Sequence, residues 1–112
     1  SIGVINSAKE NNAYIVFHND NIYNQAPGVV LGCGAMNQDK LALKILDDAY
    51  NNKIKWGQAE VESIDSGFID FYSEDPIFIE NLPQSIRLDF ISWLNDVRNG
   101  IITINKWLIQ YQ

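Results

Sequence analysis

The sequence has very little of what most small catalytic and metal-binding sites require. It contains one cysteine, Cys33, and one histidine, His18. A single cysteine excludes an intrachain disulfide, and one cysteine with one histidine excludes every zinc site that needs a Cys pair or a His pair. The run Asn19-Asp20-Asn21 lacks the glycine and the bidentate glutamate of a calcium loop. We therefore predict no metal site and no cofactor.

Long hydrophobic runs are also missing, although 46% of the residues are hydrophobic. No uninterrupted apolar run approaches the roughly 18 residues that a membrane-spanning helix needs. No segment has the basic start, the apolar run and the small-residue cleavage site of a secretory leader. These absences predict a cytoplasmic protein that does not contact a membrane.

Lysine and arginine are absent from residues 57–86, which we call the acidic segment. This segment holds seven of the 14 acidic residues, while the rest of the chain carries seven acids against eight bases. The formal net charge of −6 therefore arises entirely from the acidic segment. Because negative charge repels phosphate, direct nucleic-acid binding is disfavoured, and a basic protein becomes the favoured partner.

The residues that are present predict one α+β domain spanning 1–112, with a small antiparallel sheet packed against two or three helices. Residues 13–18 are β-branched and aromatic between asparagine-rich turns, which is typical of a buried strand. Residues 28–33 form a second predicted strand. A nine-residue loop, 19–27, would join the two strands.

Two helices are predicted from apolar residues that recur at helical spacing. The first spans residues 37–51, with Asn37 as its N-cap. Its apolar stripe consists of Leu41, Ala42, Ile45, Leu46 and Ala49. The second begins near Pro83 and stops at Gly100. The tail, residues 101–111, fits either a helical stripe or a strand.

Within the acidic segment, residues 59–72 are typical of a β-hairpin. Its arms would flank Asp65-Ser66-Gly67, where Gly67 can adopt the left-handed conformation that closes a three-residue loop. That register predicts three facing pairs on one side of the hairpin, which are Ile64 with Phe68, Glu62 with Asp70, and Glu60 with Tyr72. A two-residue loop would turn one arm over and move these side chains to opposite faces.

Carboxylates interleaved with aromatic rings are typical of a surface that recognises a basic partner. Charge raises the association rate and the rings act as anchors. A solubilising surface is the structural alternative, but such surfaces usually mix charges of both signs. The predicted contact residues are Glu60, Glu62, Asp65, Phe68, Asp70, Tyr72, Glu74 and Asp75.

Three catalytic interpretations are weaker than this binding surface. Cys33, His18 and Asp20 could form a nucleophilic arrangement, but a small buried cysteine at a strand end explains Cys33 equally well. Residues 32–37 lack the third glycine of a dinucleotide-binding turn. The acidic segment has carboxylates enough for a glycosidase pair but no basic or histidine partner to tune them. We predict no catalytic residues.

A small acidic protein with an acidic, aromatic patch resembles the bacterial immunity proteins of contact-dependent growth inhibition and related polymorphic toxin systems. The resemblance rests on size, on acidity, on an Asn/Ile-rich composition and on the run of residues 59–72. It implies a non-enzymatic protein that forms a one-to-one complex with a cognate toxin domain. Such a toxin is often a basic nuclease, whose cleft is covered by acidic side chains.

Three other functions remain open at this point. A phage-type inhibitor that mimics DNA would use the same acids against a host nuclease. A small hydrolase would use His18 and Cys33. A structural subunit would oligomerise through the apolar residues of the tail, 101–111.

Overall fold

The computed structural model describes residues 2–103. In chain order its elements are α1 (Ile2–Glu10), β1 (Ile15–Phe17), β2 (Val30–Met36), α2 (Gln38–Tyr50), β3 (Ile69–Phe71), α3 (Pro76–Asn81) and α4 (Gln84–Arg98). Short 3-10 helices lie at Tyr23–Gln25 and Ile64–Ser66. A three-stranded sheet with helices around it confirms the predicted α+β class.

The sheet is mixed rather than antiparallel as predicted, with strand order β1-β2-β3. β1 runs parallel to β2, with Phe17 opposite Cys33. β3 runs antiparallel to β2, with Gly34 opposite Phe71. Two parallel neighbours need a connection of about a dozen residues to return the chain to the starting edge. Residues 18–29 supply this connection, with a 3-10 helix inside it.

The predicted hairpin over residues 59–72 is wrong in its first arm. Residues 58–63 form no strand, and the next three form a 3-10 helix. Only the second arm is a strand, and it pairs with β2 instead. The facing pairs of Glu62 with Asp70 and Glu60 with Tyr72 therefore do not form. Gly67 does adopt the left-handed conformation, with φ 77°, where it ends the 3-10 helix.

The core is built where the β1–β2 connection, the sheet and α3 meet. Its buried residues are Ile5, Ile22, Tyr23, Ala26, Val30, Cys33 and Phe78. Three aromatic rings tie the later elements together, since the ring centroid of Phe71 lies 5.5 Å from that of Phe78 and 4.7 Å from that of Phe90. These contacts join β3 to α3 and α4.

Both predicted helices are confirmed, as α2 and α4, whereas α1 and α3 were not predicted. α4 buries Leu94 and Val97. α2 buries none of its residues, although its apolar stripe was expected to pack. The predicted cap is also absent: the Asn37 side chain donates to the Gly67 carbonyl at 2.8 Å instead of capping α2.

The predicted tail begins at Ile101, and residues 101–103 form bends and irregular chain. The rest of that tail lies outside the described residues. Among residues 2–103, no helix has both the length and the apolar character needed to cross a membrane.

Candidate functional site

A groove of about 370 Å³ lies where three separate parts of the fold come together. One wall is the chain segment that comes after β1, and the other is the turn between β3 and α3. The last turn of α4 lies beside these two walls. The lining residues are Asn21, Asp70, Phe71, Tyr72, Ser73, Glu74, Asp75 and Arg98. We call this feature the polar groove.

Asp75 holds two elements of the polar groove in place. One carboxylate oxygen accepts a hydrogen bond of 2.8 Å from the Ile77 amide, so Asp75 is the N-cap of α3. Its other oxygen accepts a bond of 2.7 Å from the Asn21 side-chain amide. Pro76 follows at the first helical position, where its missing N–H is not needed. The local sequence Asp-Pro therefore starts α3 at the groove rim.

Asp70 and Arg98 form an ion pair across the groove. The Arg98 Nε donates to Asp70 Oδ1 at 3.2 Å, and its Nη2 bonds the same oxygen. Arg98 Nη1 also donates to Asn95 one turn earlier in α4, at 3.1 Å. Both partners are about one third exposed, so the pair adds little to stability. Its main effect is to fix the direction of the guanidinium group.

Behind the groove, Tyr23 is completely buried and its hydroxyl links two strands of chain. The hydroxyl accepts a hydrogen bond of 2.9 Å from the Cys33 amide and donates one of 3.2 Å to the Tyr72 carbonyl. Burial raises the pKa of Tyr23 far above the usual value for a phenol. The hydroxyl therefore keeps its proton and remains a donor at physiological pH.

Four of the eight predicted contact residues line the polar groove, namely Asp70, Tyr72, Glu74 and Asp75. The other lining residues were missed as site residues. In the sequence, Asn21 looks like a turn former and Arg98 looks like the end of a helix. Their hydrogen-bond partners, Asp75 and Asp70, lie 54 and 28 residues away along the chain. No local pattern can identify contacts across such separations.

The remaining predicted residues lie elsewhere. Glu60 faces Lys55 at 3.2 Å and Lys44 at 3.4 Å, in a second, smaller groove beside α2. Hydrogen bonds from Lys55 and then from Lys44 lower the pKa of Glu60. Glu60 therefore lies beside Lys44 and Lys55 instead of on the first arm of the predicted hairpin.

Glu62, Asp65 and Phe68 also fall outside the lining of the polar groove. Asp65 accepts a hydrogen bond from the Ser63 hydroxyl beside the 3-10 helix, and the Phe68 carbonyl accepts the Asn37 amide at 2.8 Å. The eight predicted residues therefore do not all line one groove.

The catalytic alternatives find no support in the geometry. Cys33 is free and buried, and burial raises the pKa of its thiol, which is opposite to what a nucleophilic cysteine needs. Within residues 2–103, no group of three or more His, Cys, Asp or Glu side chains is arranged to hold a metal ion. Carboxylates, an amide, a hydroxyl and a guanidinium around an open groove are suited to holding a small polar molecule.

Comparison with known protein families places the chain among transport proteins. The model of the Bmp family, described as ABC transporter substrate-binding protein PnrA-like, matches residues 1–97. The match covers far more than half of the chain, so the protein belongs to this family. The description is that of a binding protein rather than an enzyme.

The predicted resemblance to toxin-immunity proteins is therefore wrong, and so are the predicted immunity function and toxin partner. The prediction was wrong because it relied on acidity and size, which many unrelated proteins share. The structure also separates two of the acids that the prediction placed on one hairpin face. Asp70 lines the polar groove, whereas Glu60 lines the smaller groove beside α2.

Proposed function

We propose that this protein binds a small solute for an ABC transporter and that the polar groove holds the hydroxyl-bearing part of that solute. The observation that carries the proposal is the groove itself, which gathers three carboxylates, an amide, a serine and an arginine in about 370 Å³. This volume lies at the lower end of the roughly 300–1,000 Å³ found for small-molecule sites.

The chemistry of the lining favours a polyhydroxylated ligand. Ionised carboxylates only accept hydrogen bonds, so Glu74, Asp70 and Asp75 suit ligand hydroxyl groups, which donate them. Arg98 and Asn21 can donate to ligand oxygens. Tyr72 adds an aromatic residue to the same wall. Sugars, and nucleosides with their sugar and planar base, combine these properties.

Glu74 is the carboxylate of the polar groove that is best placed to bind a ligand hydroxyl. Asp75 already accepts two hydrogen bonds and Asp70 is paired with Arg98, whereas Glu74 is exposed at the groove rim. A ligand hydroxyl can bond Glu74 without breaking a contact of the fold. The protein would release the solute unchanged, as a transport component does.

Calorimetric titration with a panel of nucleosides and monosaccharides tests this function. We expect saturable binding of at least one panel member. Glu74→Gln should weaken that binding about tenfold or more, because a hydrogen bond to a charged group contributes about 1.5–3 kcal/mol. Glu10→Gln, at the exposed end of α1, is the matched control and should bind as the unmodified protein does.

Two outcomes would reject the proposal. One is the absence of binding across the whole panel at millimolar ligand. The other is an equal affinity of Glu74→Gln and Glu10→Gln for a solute that does bind.

A further inference from the structure

The two walls of the polar groove come from distant parts of the chain and must be held at a fixed separation. Asn21 stands on one wall, and residues 70–75 form the other. At the surface, the walls are joined by the hydrogen bond between Asn21 and Asp75. Inside, they are joined by the bond from the Tyr23 hydroxyl to the Tyr72 carbonyl. On the Tyr23 side the inner contact is fully buried, and on the Tyr72 side it is partly buried.

The inner contact interrupts the sheet at a defined point. Gly34 pairs with Phe71, so the same register places Cys33 opposite Tyr72. In an antiparallel sheet, such a pair exchanges two hydrogen bonds or none. Here only one is made directly, from the Tyr72 amide to the Cys33 carbonyl at 2.9 Å.

The second bond of that pair is replaced by the phenol. The Cys33 amide donates to the Tyr23 hydroxyl, which in turn donates to the Tyr72 carbonyl. The hydroxyl therefore occupies the place between an amide and a carbonyl that would otherwise bond each other. Beyond this point β3 ends, and the chain continues as the groove wall Ser73–Asp75.

We infer that the Tyr23 hydroxyl is a wedge that ends the β2–β3 ladder and sets the opening of the polar groove, which makes Tyr23 a positioning residue for the solute. The expected effect of Tyr23 on solute binding rests on the proposed function. The expected effect of Tyr23 on strand pairing does not depend on that function. Tyr23 also orients Asn21 directly, since its backbone amide donates to the Asn21 side-chain oxygen at 3.2 Å.

The raised pKa of Tyr23 agrees with this role, because a wedge that both accepts and donates must remain protonated. The ring is held independently of the hydroxyl. It is fully buried in the core, with its centroid 6.1 Å from that of Phe78. Removing only the oxygen therefore tests the wedge with little disturbance of packing.

The variant Tyr23→Phe separates the roles. We expect it to fold, to lose about tenfold or more in affinity for the solute found by calorimetry, and to form a direct bond from the Cys33 amide to the Tyr72 carbonyl. Nuclear Overhauser contacts between residues 33 and 72 and amide exchange of Cys33 report the last effect. Tyr50→Phe, at an exposed position of α2, is the matched control and should change neither quantity.

The possible results can be told apart. If the unmodified protein binds a solute and Tyr23→Phe binds it equally well, the inference is overturned while the proposed function stands. If no solute binds, the proposed function fails, and the strand-pairing measurement alone tests the inference about the Tyr23 hydroxyl. An unchanged separation of residues 33 and 72 in Tyr23→Phe then overturns the wedge.

A measurement on the unmodified protein covers the case in which Tyr23→Phe does not fold. The Tyr23 hydroxyl proton should exchange slowly with water and lie near the Cys33 amide in proton spectra. A rapidly exchanging hydroxyl would overturn the inference without any variant.

Discussion

At the scale of single residues, Cys33 shows how surroundings decide chemistry. The sequence allows a nucleophilic thiol beside His18, because both residues belong to predicted strands that could lie next to each other. The structure places the thiol in the core, fully buried, with its backbone amide bonded to Tyr23. Burial disfavours the thiolate and raises the pKa of the thiol.

We expect Cys33 to be unreactive in the folded protein. At pH 8, an aromatic disulfide reagent should modify it about a hundredfold more slowly than in urea, which corresponds to a local opening free energy of about 3 kcal/mol. The release of the coloured thiolate measures both rates. Equal rates in the two conditions would show that the thiol is accessible to the reagent and would contradict its burial in the core.

At the scale of elements, Gly32 illustrates how closely β2 packs against β3. A Cβ atom at Gly32 would lie 2.7 Å from the Phe71 ring, far below van der Waals contact. That ring is held by Phe78 and Phe90 and cannot move freely. At Gly34 the nearest atom would lie 3.6 Å away, which is an ordinary contact.

Gly32→Ala should therefore lower the free energy of unfolding by about 1–3 kcal/mol, the usual cost of overpacking a core. Gly34→Ala, in the same strand, should cost clearly less. Urea denaturation of the two variants measures the difference. A Gly34→Ala variant that is as unstable as Gly32→Ala would contradict the packing described for Phe71.

Local periodicity predicted much of this fold. The positions of β1, β2, α2 and α4 follow from the spacing of apolar residues, which is a local property. The direction of β1 and the partner of β3 do not, because they depend on contacts between distant residues. The hairpin prediction failed for this reason. β3 pairs with the edge of β2, and Glu60 is held by Lys44 and Lys55.

Half of the predicted contact residues line the polar groove because the acidic segment concentrates carboxylates near residues 70–75. Arg98 and Asn21 could not be added from sequence, since only folding brings them to this wall. The apolar stripe of α2 correctly predicted the helix but wrongly predicted that the stripe would be buried. Ile45 and Leu46, two members of that stripe, remain 50% and 66% exposed, because periodicity indicates an apolar face and not what covers it.

At the scale of the whole molecule, the buried phenol of Tyr23 and the buried thiol of Cys33 make stability depend on pH in the alkaline range. Tyr23 and Cys33 both have raised pKa values in the folded state, mainly because burial disfavours their anions. In the unfolded chain they ionise near their ordinary values of 10.0 and 9.0. The unfolded state therefore loses protons first, and rising pH favours it.

The free energy of unfolding should consequently fall as the pH rises above about 9. Urea midpoints measured between pH 7 and pH 11 check this expectation. Tyr23→Phe should show a shallower fall above pH 10, because it has no phenol to ionise at that position. Tyr50→Phe should retain the full decline. Parallel curves for the two variants would contradict a protonated, buried Tyr23.

The Tyr23 wedge also has a consequence for the order in which the chain assembles during synthesis. Tyr72 follows Tyr23 by 49 residues, so the phenol emerges from the ribosome long before the carbonyl that it bonds. Until then, one edge of β2 has no partner strand, and an open edge invites incorrect pairing with other chains. The nascent chain is therefore most vulnerable to aggregation between the emergence of β2 and that of β3.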